Sequence, residues 1–558
     1  MNRLNSLLFK NLCCVSLFSI LTIFNAFSVN VADAKQNPAK NVLNGKSVNA
    51  QQKLSYALYA IEKLYVDSIN QDKLVEDAIV GVLKELDPHS TYLNPEEVKD
   101  MNEPLQGNFD GIGVQFNMLN DTLFIINTVA GGPSEKVGIL AGDRIISVND
   151  TVIAGVKMKT PDIMKRLRGK KGSKVNVQIL RKGVNKPIDF RIIRDKIPIY
   201  SVDAVYMADP ETGYIRISRF GATTHEEFVE GINKLKKEGM KNLIIDLEGN
   251  GGGYLNTAID MADEMLESDN MIVYTEGLNS QREEARSNNK GNFKNGRVVV
   301  MVDESSASAS EIVSGAIQDL DRGLIVGRRT FGKGLVQRPV MLPDKSMIRL
   351  TVARYYTPTG RSIQKPYEDG LENYNKDLIN RYNNGELQNA DSIHFPDSLK
   401  YTTIKNKRVV YGGGGIMPDF FVPIDTTRYT EVHRNIIAKG IMNQFVITYF
   451  DENKKQLKKD YPTYEAYEKK FEVTDKILSK LKKSAEKEGI TINDEQFDKS
   501  ENLIKIQIKA LLARDLFTMA EYFRVMNSQS ETFKKALELI NNVEEYNRLL
   551  GVRQVGMN

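Results

Sequence analysis

Two short apolar runs constrain this chain more than any other feature. Leu243-Ile244-Ile245-Asp246-Leu247 and Val298-Val299-Val300-Met301-Val302 are too short for helices and too apolar for a surface, so each reads as a buried strand. The first runs straight into Glu248-Gly249-Asn250-Gly251-Gly252-Gly253 and then a helical pattern at 257–267. The second delivers the chain to a serine cluster, Ser305-Ser306-Ala307-Ser308-Ala309-Ser310, and a helical pattern through Ile312, Val313, Ala316, Ile317 and Leu320. Strand, turn, helix, strand, turn, helix implies a largely parallel sheet with ligands at the carboxyl ends of its strands. The glycine-rich turn and the serine turn are therefore expected on one rim.

Chemistry is expected there too. Beyond the serine helix lie Leu324-Ile325-Val326 and a lysine between glycines, Gly332-Lys333-Gly334. The pattern predicts a helix whose first turn carries exposed hydroxyls, then a strand, then a turn presenting one amine. A serine at a helix N-terminus lies beside unpaired backbone N–H groups and the positive end of the dipole, donors that can stabilise an oxyanion. A lysine serves as base if burial lowers its pKa from ~10.4 toward ~7–8. The residues alone leave Ser305, Ser306, Ser308 and Ser310 all open as the nucleophile. Two plainer explanations compete. Ser308-Ala309-Ser310-Glu311 is a capping box, which requires no catalysis. The stretch 327–333 matches all but the last letter of a phosphate-binding loop, but Gly334 replaces the hydroxyl and strand-like alternation follows at 335–356.

The 558 residues suit several domains. Arg3 and Lys10 flank the start of an apolar run at 12–27, and Ala32 and Ala34 offer a cleavage site before Lys35. Residues 1–34 therefore read as a signal peptide, the run being short for a bilayer span of ~20 residues. Both cysteines, Cys13 and Cys14, fall inside it and not at its end, which argues against a lipid-modified cysteine. The mature chain then has no thiol, which excludes cysteine catalysis, thiolate metal sites and disulfides. A net charge of +4, about +3 without that segment, gives no case for nucleic-acid binding. No motif asks for a metal or a cofactor.

Residues 35–49 read as a polar linker. Over 50–103 apolar residues recur at helical spacing (Leu54, Leu58, Ile61, Leu64, then Leu74, Ile79, Val82, Leu83), a helical domain that packs on the rest or pairs two chains. Residues 104–198 change to short strands and glycine turns: Gly111-Ile112-Gly113-Val114, Leu123 to Ile126, Gly132-Pro133-Ser134, Gly142-Asp143-Arg144, a helical piece at 162–167 and a basic strand at 175–182. That order resembles a PDZ domain. In that family the Gly111–Val114 loop captures a peptide carboxylate with backbone N–H groups, and the peptide adds as a strand. Glycine permits so close an approach of backbone to ligand. Residues 199–425 form the α/β core, with strand-like texture at 412–424. The polar, Asn-rich 373–397 reads as a mobile surface loop. Residues 426–558 read as a charged helical region, with Lys454, Lys455, Lys458 and Lys459 on solvated faces.

Four separated stretches carry a wider resemblance: Leu86-Asp87-Pro88-His89-Ser90 with Tyr92-Leu93, the PDZ pieces, Asp246 to Gly253, and Ser306 to Glu311 with Thr330 to Gln337. From about residue 50 to about 425 the chain resembles the carboxyl-terminal processing, or tail-specific, proteases of the Ser–Lys type. The resemblance implies an α/β protease core of crotonase/ClpP-like ββα architecture with an inserted PDZ domain, an N-terminal helical segment and a C-terminal helical region. It implies Ser308 as nucleophile, Lys333 as general base and Gln337 as the residue supporting the lysine. Gly252 and Ala309 would give the oxyanion donors, and Gly111, Ile112, Gly113 and Val114 the carboxylate loop. Arg168 resembles an arginine used in gating, against which stands a plain solvated charge. One departure is visible, Glu248 where the family usually has arginine after Asp246-Leu247. The four histidines, His89, His225, His394 and His433, carry no motif for a Ser–His–Asp site, and His225 reads as a surface or capping residue.

The implied function is an exported serine endopeptidase of the periplasm or cell envelope, free or membrane-associated. It would recognise protein C-termini through the PDZ domain and cleave near them through an acyl-enzyme, with no cofactor. Implied partners are polypeptides with free C-termini, a second copy of the chain and a helical-repeat adaptor protein. Two rivals remain: an inactive PDZ scaffold, and a crotonase-like acyl-CoA enzyme.

Overall fold

In a computed structural model describing residues 49–552, the two apolar runs lie at the centre of a six-stranded sheet. The expected signal peptide at 1–34 and nearly all of the linker 35–49 lie outside the described residues. The strand order is Val202–Met207, Thr212–Ile217, Asn242–Asp246, Val298–Val302, Leu324–Gly327, Phe420–Phe421. The first pair is antiparallel and the rest are parallel. Both faces are covered, which explains why Val298–Val302 shows no alternation. Leu243, Ile245, Val298, Val300 and Val302 pack with Phe228 and Ile232 of helix Thr224–Lys237, with Ala258 and Met261 of helix Leu255–Asp263, and with Val313 and Ile317 of helix Ala309–Asp319. Ile244, Val299, Met301, Leu324 and Val326 pack against Phe533, Ala536, Leu539 and Ile540 of helix Glu531–Asn541. The C-terminal region thus supplies a layer of the core itself.

An antiparallel sheet stands beside it, in the order Thr91–Leu93, Met347–Tyr356, Met271–Gly277, Ser280–Arg286, with Leu335–Met341 also paired to Met347–Tyr356. Thr91–Leu93 follows two of the N-terminal helices, Ala50–Leu64 and Gln71–Lys84, and a third, Pro95–Gln106, comes after it. Its register, Thr91 opposite Arg349, stitches the N-terminal segment to the core.

A third sheet, also six-stranded and antiparallel, spans Val114–Leu119 to Ile188–Ile193 and carries helix Thr160–Leu167. Val175, Val177 and Ile179 of Lys174–Leu180 alternate inward. Two tight hairpins turn at Asn120-Asp121 and Asn149-Asp150, all four residues at positive φ. Asn and Asp tolerate that region, and such turns match the twist of the strands they join. Strand Asn108–Gly111 enters this module and pairs antiparallel with Asp195–Pro198 leaving it, so the module hangs on a two-stranded stalk. Helix Ile441–Asp460 grips it elsewhere. Arg144 pairs with Asp451 at 2.9 Å, Lys454 donates to the Ala141 carbonyl at 3.2 Å, and Ile447 packs with Leu119 and Phe124. Lys454 is therefore a contact and not simply a solvated charge.

Two expectations are corrected. The stretch 373–397 holds most of helix Leu371–Asn383, in which Tyr374 and Arg381 are buried, so it is not a bare loop. The strand texture at 412–424 contracts to Phe420–Phe421, because 412–419 is irregular, with Gly413 at φ +78° and Gly415 at φ +89°.

Candidate active site

The parallel strands Asn242–Asp246 and Val298–Val302 are neighbours, and the turns after them touch: the Ala307 N–H donates to the Asn250 carbonyl at 3.0 Å. Two of the four serine hydroxyls of the cluster are spent and three of the four serines are buried, not exposed as the pattern suggested. Ser306 Oγ donates to the Leu247 carbonyl at 2.8 Å and Ser310 Oγ to the Asn250 carbonyl at 2.8 Å, both residues having no exposed surface. Ser308, 8% exposed, caps the helix by position, yet its hydroxyl makes no capping bond. Its backbone sits at φ +56°, ψ −112°, a costly conformation for a non-glycine residue and one that clusters at active sites. Among the candidate serines, Ser308 is thus the one held in strain with its hydroxyl unspent.

Lys333 is brought to it through Glu311. One carboxylate oxygen of Glu311 accepts the Ser308 N–H at 2.8 Å and the Lys333 N–H at 2.9 Å. The other accepts the Gly332 N–H at 2.7 Å and the Thr330 hydroxyl at 2.5 Å. The Tyr355 hydroxyl lies 2.5 Å from the Lys333 carbonyl and 3.2 Å from that of Ser308. Two turns distant in sequence are therefore laced together on both sides of the backbone.

The Lys333 side chain is 1% exposed, and its amine has no hydrogen-bond partner. Burial, then the positive charge of Arg349, push it down to about 7, while Glu311 and Asp87 oppose the shift. An amine in that range is uncharged in a sizeable fraction of molecules at neutral pH. Gln337, 6% exposed, donates from Nε2 to the Thr351 hydroxyl at 3.3 Å. Arg349, whose own pKa burial lowers to about 9, donates to the His89 carbonyl at 3.2 Å.

Gly252 stands against the serine. A Cβ there would lie 2.8 Å from both the Ala307 carbonyl oxygen and Ser308 Cβ, and 3.0 Å from the Ala309 nitrogen, and its φ is +103°, so only glycine fits. The Ala309 N–H opens the helix and has no intrahelical acceptor. The Gly252 N–H is engaged, donating to Asn250 Oδ1 at 2.9 Å. An oxyanion must take that donor from Asn250. Glu248, the departure noted in the sequence, is pushed up to about 8 by burial and by Asp246 and Asp303. The turn is braced instead by Arg216, whose guanidinium bonds Asp246 and also donates to the Glu248 carbonyl at 2.8 Å.

In the stalked module, Gly111, Ile112, Gly113 and Val114 edge a cleft of about 60 Å³ that Met164 and Leu167 close from the helix side. Arg168 lies at its lip, paired with Glu103 at 2.6 Å and 4.7 Å above the Phe109 ring, so it is not a free solvated charge. His225 bonds Glu264 at 2.8 Å, not a helix end.

Asp87, Thr351, Arg349 and Tyr355 were missed as site residues. Only Asp87 had a signal, as part of Leu86 to Ser90, because its contact with Thr351 crosses 264 positions.

A family model for peptidase family S41 matches residues 211–372, a PDZ domain model matches 111–192, and a model for the activating protease CtpB N-terminal domain matches 12–97. A family of unknown function matches 432–518. The carboxy-terminal-processing protease of Bartonella bacilliformis is 37% identical over 306 residues, covering 54% of this chain and 69% of that protein. The carboxy-terminal processing protease CtpA of Bacillus subtilis is 36% identical over 314 residues, 56% of this chain and 66% of its own. CtpB of the same organism is 34% identical over 331 residues, 59% of this chain and 68% of its own. A strained serine laced to a buried amine thus occurs in a chain that spans about two thirds of the length of such enzymes, and the chain belongs to peptidase family S41, the carboxy-terminal processing serine proteases.

Proposed function

We propose that this protease is an exported endopeptidase working through Ser308 and Lys333, its PDZ module selecting substrates by their free C-termini. The observation that carries the reading is the single Glu311 oxygen holding the backbone of both residues beside a buried, unpartnered amine. Neutral Lys333 takes the Ser308 proton, and the oxygen attacks the substrate carbonyl. The Ala309 N–H and the Gly252 N–H, once released from Asn250, hold the oxyanion, each worth about 2.7–4 kcal/mol. The Lys333 ammonium returns the proton to the leaving amine, and water, deprotonated by the same lysine, hydrolyses the acyl-enzyme. The two-sheet core is read as the crotonase-like ββα arrangement. Residues 1–34 are read as the export signal to the periplasm or cell envelope, and the terminal helices as surfaces for a second copy or a helical-repeat adaptor.

The proton must be absent from Lys333 for the first step. The rate should therefore rise with pH through about 7 and be lost below it. Cleavage of an unfolded polypeptide with a free or an amidated C-terminus tests the reading. Ser308→Ala and Lys333→Ala should each lose about 10³-fold or more in kcat, and the amidated substrate should be cut more slowly. An active Lys333→Ala variant would remove the dyad. Equal rates on the two substrates would remove only the recognition of C-termini. An inert parent enzyme would favour the scaffold reading.

A further inference from the structure

A chain of hydrogen bonds under the lysine has a direction, and the direction has a consequence. Asp87 Oδ1 accepts the His89 N–H at 2.7 Å, the Ser90 N–H at 2.9 Å and the Thr351 hydroxyl at 3.0 Å, and Oδ2 accepts the Ser90 hydroxyl at 2.5 Å. Ser90 Oγ in turn accepts the Thr351 N–H at 3.1 Å. Every neighbour that touches this carboxylate is a donor. A carboxylate so placed can only accept, so the single Thr351 hydroxyl proton points at it. Thr351 Oγ1 is then an acceptor toward Gln337, and the Gln337 group facing it, 3.3 Å away, must be the NH₂. The amide oxygen is left pointing elsewhere.

We infer that Thr351 and Asp87 are positioning residues of the base: their one-way relay turns the Gln337 amide so that its oxygen, and not its NH₂, is the group free to meet the Lys333 amine, which has no hydrogen-bond partner in this structure, once that amine takes the serine proton. This rests on Lys333 being the base. The register agrees, because Gln337 lies opposite Thr351 across the two strands, and Thr351 and Arg349 share a face of Met347–Tyr356. When Lys333 takes the serine proton it becomes an ammonium in a pocket where Arg349 is also positive. An oxygen acceptor stabilises that ammonium, and an NH₂ in its place would repel it. Other charged or titratable groups facing the amine are Glu311 on the serine helix, Asp87 on the N-terminal turn, and His89, which feels Lys333, Arg349 and Lys365 alike.

Thr351→Val keeps the shape and removes the relay, Thr351→Ser keeps the relay, and Asp87→Asn supplies an NH₂ that can reverse it. The full-length enzyme is assayed on an unfolded polypeptide, with kcat, KM and the pH profile measured beside a Lys333→Ala control. Thr351→Val should lower kcat about 10–100-fold, part of the ~10²–10⁴ a general base supplies, with KM unchanged. Its acid limb should move to lower pH by about 0.5 unit or more, since the charged amine has lost an acceptor. Thr351→Ser should restore both. Asp87→Asn should match Thr351→Val, and the double variant should be no worse than either single one, as residues of one relay are not additive. Parental kcat and pH profile in Thr351→Val overturn the inference, as does a Thr351→Ser variant as poor as valine. If Thr351→Val fails to fold, Asp87→Asn with parental kinetics overturns it equally. An active Lys333→Ala control would sink the proposed function first, and is read separately.

Discussion

The Glu311 carboxylate has no exposed surface and accepts from Ser308, Gly332 and Lys333 N–H groups and from the Thr330 hydroxyl. Burial pushes its pKa up, and these donors pull it down. A glutamine there would turn an NH₂ toward donors on one side and leave them unpaired. Glu311→Gln should cost about 2–4 kcal/mol in denaturant unfolding and lower kcat even under conditions where the variant is folded. A parental unfolding midpoint would show that the charge is not what holds the two turns. The sequence displays Glu311 only as the end of a capping box, and that half is real, since it takes the Ser308 N–H. The other three donors arrive from residues 330 to 333, and nothing local announces them. Ser308 is similar: family resemblance selects it, but its strain and its unspent hydroxyl are properties of the fold.

Helix Leu371–Asn383 illustrates why an element can be illegible. Its inward stripe runs through buried Tyr374, half-buried Asp377 and buried Arg381, spaced as i, i+3 and i+7, so the face is helical but polar. Apolar periodicity therefore registers nothing, and the stretch reads as a loop. Arg381 donates to the Thr330 carbonyl at 2.8 Å and the Phe331 carbonyl at 3.1 Å. Asp377 holds Arg381 at 3.0 Å and Lys365 at 2.9 Å, and the Lys365 amine sits 4.0 Å and 4.1 Å above the Phe331 and Tyr374 rings. Tyr374 also meets His89 at 2.8 Å. The helix is a clamp on the turn that carries Lys333. Arg381→Met should speed hydrogen exchange of the amides at 330–334 and lower kcat, with peptide binding by the PDZ module unchanged. Exchange at the parental rate would sink the clamp. The strands, by contrast, were legible because the sheet is buried on both faces and its runs stay apolar throughout.

At the scale of the whole molecule, among the described residues the stalked module is held by the ribbon of Asn108–Gly111 with Asp195–Pro198, by the Arg168–Glu103 and Lys165–Glu96 pairs to helix Pro95–Gln106, and by helix Ile441–Asp460. The order of modules could be read from the sequence, but these contacts could not, since each joins segments far apart along the chain. Helix Ala50–Leu64 buries none of its residues, and Leu54, Ile61 and Leu64, spaced i, i+7 and i+10 along one side, are 50%, 39% and 82% exposed. A face of that kind is expected to be covered by a second copy. Leu54→Asp with Ile61→Asp should then convert a dimer to a monomer by light scattering, without loss of unfolding midpoint. A parent chain that is already monomeric at working concentration would dispose of that expectation. The helix Glu531–Asn541 has a different consequence, one of timing. It lies against Ile244, Val299 and Met301, so a chain emerging from the ribosome carries its serine, its lysine and every central strand long before the last layer of the core exists. Synthesis has to pass residue 541 before that face can close, which keeps a hazardous hydrolase unfinished while its serine and lysine are already made.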